Sequence, residues 1–274
     1  MLQRTVASKR APKEYIYIDG AYLHRYCDPA FKSLFGVRAS IDFGGLLRRL
    51  DGIRAFYYDC LEEEPRSTEG ESALESRIQP QRERIDRIEA TEYYRVRLGT
   101  LKGAKNLRQK EVDVRLAVDM LTDAFEGRAD HFTLVAGDLD FRPVLESLTR
   151  LGKHTRLVYY PQHCASELKA SVDRRAPISL EWIHNLSTHN FQTTYSIPRF
   201  ALQEDRLPKD HTLLVQGAIG TKQAFLSQLG TMFFLKISRP DGNKPFDTYM
   251  FNDRDFLVGK WAPEVIGNIN WESA

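Results

Sequence analysis

The sequence predicts an α/β protein built on a mostly parallel sheet, with a small β-rich unit toward its C-terminal end. Three observations carry that expectation. Strand-like and helix-like segments alternate through the first two-thirds of the chain, as they do when helices cover both faces of a parallel sheet. One complete β–α–β unit is legible: the apolar run His131–Ala136, a turn at Gly137, the periodic segment Phe141–Leu151 and the run Thr155–Tyr160. Beyond about residue 185 helical periodicity stops, and short aromatic and β-branched runs replace it.

Taken in order, Glu14–Ile18 (EYIYI) is a strand that ends in the turn signal Asp19-Gly20. Ile41–Leu50 places Ile41, Phe43, Leu46, Leu47 and Leu50 near helical spacing, with Gly52 as a stop. Ile53–Tyr58 is a second strand, residues 62–73 a loop, Leu74–Glu89 a charged helix and Glu92–Leu98 a third strand. Val112, Leu116, Met120 and Leu121 predict a helix over about 111–126, closed by Gly127. The helix Phe141–Leu151 has Pro143 in its first turn and Gly152 at its end. Residues 186–210 mix Ser, Thr, Asn, Pro and charges without a period and are expected to be a linker. It joins a domain over 14–185 to a β-rich one over 211–274, with strands at His211–Ile219, Met232–Ser238 and Thr248–Phe251 and a turn at 240–243.

Composition excludes several classes. Of 274 residues, 42% are hydrophobic and 28% charged, enough apolar surface for a core and too much for a disordered chain. No apolar run approaches the roughly 20 residues that cross a bilayer. The first thirteen residues lack the apolar stretch of a secretory signal, and Cys27, Cys60 and Cys164 form no CxxC pair. Reduced thiols and a cytoplasmic location are the expectation. A net charge of +2 does not announce a nucleic-acid binder, but residues 95–110 carry Arg95, Arg97, Lys102, Lys105, Arg108 and Lys110 with no acid among them. Such a run can track phosphates or form a solvated loop. Residues 201–274, with 8 basic and 9 acidic side chains, make a neutral unit.

The chemistry lies in aspartates. Ligands of open α/β sheets gather outside the carboxyl ends of the strands. Asp19 closes the first strand, Asp138 and Asp140 follow HFTLVA, and Asp113 opens the helix after the basic run. Asp119 lies six residues further along, about 240° around the helix, so Asp113 is the better placed of the two. Converging carboxylates tolerate one another only with a cation or a shared proton, and Mg²⁺ or Mn²⁺ is satisfied by carboxylate oxygens and water. Each acid also has a purely structural reading: Asp19 and Asp138 or Asp140 as helix caps, Asp113 as a first-turn acid, Asp119 as a salt-bridged helix residue. The argument for a site rests on their conjunction.

The blocks Tyr15–Tyr22 (YIYIDGAY), Gln109–Asp119 (QKEVDVRLAVD) and Leu134–Phe141 (LVAGDLDF), with Gly152, resemble in order and spacing the NYN-domain family of PIN-like proteins, in its LabA/DUF88 branch. The likeness covers about residues 14–183. It implies a three-layer α/β/α PIN-like nuclease fold, an acidic Mg²⁺- or Mn²⁺-dependent site and cleavage of RNA phosphodiester bonds. Asp19, Asp113, Asp138 and Asp140 match the catalytic, metal-binding acids, Asp119 a further acid of the middle block that is counted with them as an expected metal ligand, and Lys110 that block's lysine. Arg108, Lys105 and Lys102 join Lys110 as expected RNA contacts. Tyr22 stands where many members have Asn, and Ala136 and Leu139 stand where serines are usual. Those changes remove small polar groups beside the acids.

Other features point elsewhere less well. His163 and Cys164 are neighbours in sequence, which seldom gives a productive nucleophile pair. The seven histidines show no zinc-hydrolase spacing, and Gly44-Gly45 and Gly217…Gly220 are not followed by Lys-Ser/Thr. The tyrosine pairs 57–58, 93–94 and 159–160 read as sheet faces before they read as base platforms. The expected function is therefore a metal-dependent endoribonuclease acting on single-stranded RNA, with the C-terminal unit selecting RNA, recruiting a partner or forming a homo-oligomer. A binding or regulatory module without turnover, and a DNA-directed nuclease, are the alternatives.

Overall fold

A computed structural model describes residues 11–61, 65, 69–99, 105–200, 210–239 and 246–272, and for 105–110 the backbone alone. The chain divides into two compact units: one runs through Tyr26 and over Ile41–Trp182, the other takes Cys27–Ser40 and the residues from Ile183 on.

The first unit contains the strands β1 (Glu14–Asp19), β2 (Arg54–Cys60), β3 (Tyr94–Gly99), β4 (His131–Val135), β5 (His154–Tyr159) and β6 (Arg174–Pro177). All pair in parallel, in the order β3-β2-β1-β4-β5-β6. Every residue of β1 is buried, as expected for a central strand with helices on both faces. In chain order the helices are α1 (Gly20–Phe35), α2 (Phe43–Arg49), α3 (Glu71–Glu89), α4 (Lys105–Phe125), α5 (Arg142–Arg150) and α6 (Ser166–Ala170). The three-layer α/β architecture expected from the sequence is present.

Helix α4 shows why the elements pack as they do. Val112, Leu116, Met120 and Ala124 recur every four residues and bury one stripe in a cluster with Tyr17, Tyr58, Phe132, Leu134, Val144 and Leu145. The same helix delivers two carboxylates to sheet hydroxyls. Tyr58 donates to Asp119 at 2.8 Å, and Tyr17 donates to Asp123 at 2.6 Å. Buried phenols need acceptors, and these acids supply them.

At the amino edge of the sheet, Arg156 donates to Glu14 at 3.3 Å and to the Leu50 carbonyl at 3.2 Å. His131 lies 3.4 Å from the same Glu14 carboxylate, and the Thr133 hydroxyl donates to its other oxygen. Glu14 is 4% exposed, so this charge is held inside by partners.

The second unit contains α7 (Leu180–Asn185) from Ile183 on, α8 (His189–Thr194), the second half of α1 and a six-stranded sheet. Its strands are β7 (Arg199–Phe200), β8 (Thr212–Ile219), β9 (Lys222–Leu229), β10 (Met232–Ser238), β11 (Phe246–Phe251) and β12 (Asn270–Trp271). They pair antiparallel in the order β12-β8-β9-β10-β11-β7, the β-rich unit that the sequence predicts. A helical run over 254–265 follows β11. The stretch expected as a featureless linker holds α8 and β7: Phe191 packs edge-on against Phe31 and tilted against Tyr195, apolar contacts that give a short helix without a long period something to bury against. The turn expected at 240–243 lies outside the described residues.

Candidate active site

In the order 3-2-1-4-5-6 the winding reverses between β1 and β4, and open parallel sheets form their sites at the carboxyl ends beside such a reversal. Asp19 is the last residue of β1, and Asp138 follows β4 by three positions.

Asp19 is 7% exposed. Its carboxylate accepts the Tyr22 N–H at 2.9 Å and thereby caps α1, as the structural reading of this residue anticipates. Burial nevertheless pushes its carboxyl up to about 7, against hydrogen bonds from Tyr22 and Ala21 that favour the anion, and the charges of Asp113 and Asp59 add to the rise. Asp113 is half-buried. Burial, then the charges of Asp138 and Asp140, push it up to about 6. Because α4 begins at Lys105, Asp113 stands in its third turn, too far from the helix start for the dipole to account for it. Asp138 and Asp140 are exposed around a 3₁₀ turn at Leu139–Phe141, where Asp138 accepts the Asp140 N–H at 3.1 Å.

Repulsion therefore links the four acids: Asp19 feels Asp113, and Asp113 feels Asp138 and Asp140. Among the described residues none of the four forms a salt bridge with a basic side chain. Their oxygens are hard donors that suit a divalent cation. Among the described residues no three of these carboxylates bring oxygens within 4.8 Å of one another.

Two neighbouring acids are occupied differently. Asp119 accepts from Tyr58 at 2.8 Å and lies 3.8 Å from Arg97. Asp59, absent from the acids picked out in the sequence, is the next-to-last residue of β2, with 7% exposure. It accepts from Tyr57 at 3.1 Å, from the Cys60 N–H at 2.8 Å and from Arg84 at 3.1 Å. The rule that found Asp19 applies equally to Asp59, but the strand read as Ile53–Tyr58 stops one residue short of it. Of the basic residues, Lys105, Arg108 and Lys110 lie on the first two turns of α4 with side chains outside the described residues, and Lys102 lies outside them altogether.

Tyr22 binds the two halves of the site together. Its N–H holds Asp19, its hydroxyl donates to the His163 carbonyl at 3.1 Å, and that same oxygen accepts the Tyr160 N–H at 2.8 Å. Its ring lies against Gly137, where an added Cβ would fall 2.4 Å from Tyr22 Cε2 and 2.3 Å from the His163 carbonyl. Only glycine lets the β4 turn that carries Asp138 approach so closely. A phenol thus stands where a smaller amide is usual in the resembled family, and it bridges segments about 140 residues apart.

Residues 13–179 match the NYN domain family. Among solved structures, a protein of unknown function from Vibrio parahaemolyticus is similar, with 19% identity, a TM-score of 0.47, and coverage of 63% of this chain and 96% of that one. No curated protein matches the chain at a significant level. The parallel six-stranded sheet with flanking helices is the PIN-like architecture, and no helix among the described residues is long and apolar enough to cross a membrane. With more than half of its length matched, the chain belongs to the NYN domain family, a family of PIN-like nuclease folds whose members are generally ribonucleases.

Proposed function

We propose that this protein is a Mg²⁺- or Mn²⁺-dependent endoribonuclease of the LabA/DUF88 branch that cuts single-stranded RNA. The observation that carries the reading is the gathering of Asp19, Asp113, Asp138 and Asp140 at the β1–β4 reversal with no salt bridge to a basic side chain among the described residues, where burial first and the neighbouring carboxylates second raise Asp19 and Asp113 toward neutrality. Carboxylates so placed are stabilised by a cation and favour binding one. Asp19 anchors the site from its buried cap position, Asp113 meets it from α4, and the exposed Asp138 and Asp140 face incoming phosphate. A divalent ion held by these acids supplies Lewis acidity toward a phosphoryl oxygen and acidifies a bound water. Asp119 serves the site indirectly by fixing Tyr58 and Arg97. Lys102, Lys105, Arg108 and Lys110 hold the flanking backbone, and the C-terminal unit selects RNA or a partner, a second copy included.

The test is cleavage of end-labelled single-stranded RNA, with DNA alongside, in Mn²⁺, Mg²⁺ or EDTA. Cutting of RNA that needs the ion and disappears in the Asp138→Asn/Asp140→Asn double variant supports the proposal. Binding without cutting, equal in both proteins, would instead establish a regulatory module, a reading favoured by Leu139, which is 42% exposed between the two acids and offers no hydroxyl.

A further inference from the structure

Beside the acids lies a group of rings that the nuclease chemistry leaves unused. Tyr26 and His163 stack with centroids 3.7 Å apart and planes within 8°. Tyr26 is wedged from the side by Tyr22 and Tyr160, each with a centroid 5.4 Å away and inclined at 75° and 59°. Those two rings are themselves fixed. Tyr22 is held by the His163 carbonyl and the Tyr160 N–H, and the Tyr160 hydroxyl donates to the Leu23 carbonyl at 2.9 Å. His163 is exposed and Tyr26 half-buried. One face of the imidazole is therefore covered by Tyr26, and the other is turned to solvent on a rigid aromatic base.

Position gives this stack its meaning. The His163 carbonyl sits 2.3 Å from where a Cβ on Gly137 would be, so residue 163 backs the turn that carries Asp138. A flat, exposed ring on the segment that backs the Asp138 turn offers a surface for the base of a nearby nucleotide. Stacking of this kind tolerates any base, because every base has a π-face.

We propose that His163, supported by Tyr26, is a nucleobase platform that stacks one unpaired base of a single-stranded RNA next to the scissile phosphate. The proposal rests on the reading of the protein as acting on RNA, and it assigns His163 a positioning role, with no part in proton transfer. It also gives a reason for single-strand preference, since a base held in a duplex stack cannot lie flat on the imidazole.

The experiment uses the full chain with Asp138→Asn/Asp140→Asn, to prevent turnover, and a fluorescein-labelled single-stranded 12-mer RNA followed by anisotropy. His163→Ala and His163→Phe are added to that background. Both hydrogen bonds at residue 163 named for its backbone, the carbonyl to Tyr22 and the N–H to Tyr160, survive either change. The Ala variant is expected to bind roughly 5- to 100-fold more weakly, the range of one lost base–aromatic stack, and the Phe variant to bind like the parent. A 12-mer series with one abasic nucleotide should contain a position at which the Ala variant no longer differs from the parent. In the active background, His163→Phe should keep cleavage while His163→Ala raises KM more than it lowers kcat. Equal binding by the Ala variant and the parent overturns the platform, as does loss of cleavage in both variants with binding unchanged. If the parent binds RNA without ever cutting it while the Ala and Phe results hold, the platform stands and the nuclease reading fails. If it cuts normally and both variants match it, the reverse is true.

Discussion

Replacing Asp19 with Asn should make the ion-free protein more stable at alkaline pH. The carboxyl of Asp19 moves from an ordinary 3.8 to about 7 in the folded chain, chiefly through burial. Between those two values the native state holds a proton that the unfolded chain has lost, so stability falls as pH rises across the window. The loss is complete above about pH 7 and absent below 3.8, the reverse of a salt-bridged aspartate. A rise from 3.8 to about 7 corresponds to roughly 4 kcal/mol. Asn removes that penalty and keeps an oxygen for the Tyr22 N–H, although a neutral acceptor is weaker than a charged one by about 1 kcal/mol. The net gain at pH 8 in EDTA is then about 3 kcal/mol. For a folding unit of this size that corresponds to a melting temperature roughly 6–12 °C higher. At pH 4 the two proteins should melt within a few degrees of each other. The assay is thermal unfolding by circular dichroism from pH 4 to 8.5 in EDTA, repeated with saturating Mn²⁺, which should close the gap at pH 8 by stabilising the parent alone. An Asn variant less stable than the parent at pH 8 without metal would refute the reasoning, because it would mean that the carboxylate is well solvated or already neutralised.

Other substitutions probe the scaffold. Gly137→Ala forces a Cβ to within 2.3 Å of the His163 carbonyl and 2.4 Å of Tyr22; urea unfolding should show a loss of about 1–3 kcal/mol, with the turn carrying Asp138 displaced. Tyr22→Phe removes the bridge between the His163 carbonyl and the Tyr160 N–H and should cost about 1–3 kcal/mol, measurable in the same titration, while the backbone cap on Asp19 remains. Arg156→Met strands the buried Glu14 carboxylate and should destabilise by about 3–5 kcal/mol, whereas Glu14→Gln/Arg156→Met together should recover much of the loss.

Much of this site is legible in the sequence because strand ends are. Alternation of segment types indicates a parallel sheet, a parallel sheet places its site at the carboxyl ends, and Asp19, Asp138 and Asp140 stand directly after apolar runs. Asp113 and Asp119 are separable by helical rotation alone, and the structure places Asp119 against Tyr58 and Arg97 while Asp113 feels Asp138 and Asp140. Other elements carry no such signal. Helix α1 contains Pro29, a residue that ordinarily ends a helix, and its packing replaces the missing local cue. Strand β9 (KQAFLSQL) lacks β-branched residues and is held by antiparallel partners on both sides. The bridges made by Tyr22 and the stacking of Tyr26 on His163 join residues well over 100 positions apart, a distance at which no periodicity reports contact.

The claim that the four acids await a cation is tested most directly by calorimetric titration of Mn²⁺ at pH 6.5 in two buffers of different ionisation enthalpy. With Asp19 at about 7 and Asp113 at about 6, binding should release about one proton at pH 6.5 and almost none at pH 8.5. The Asp19→Asn/Asp113→Asn variant should neither bind the ion nor release protons. Mn²⁺ uptake that is independent of pH and undiminished in that variant would contradict the account.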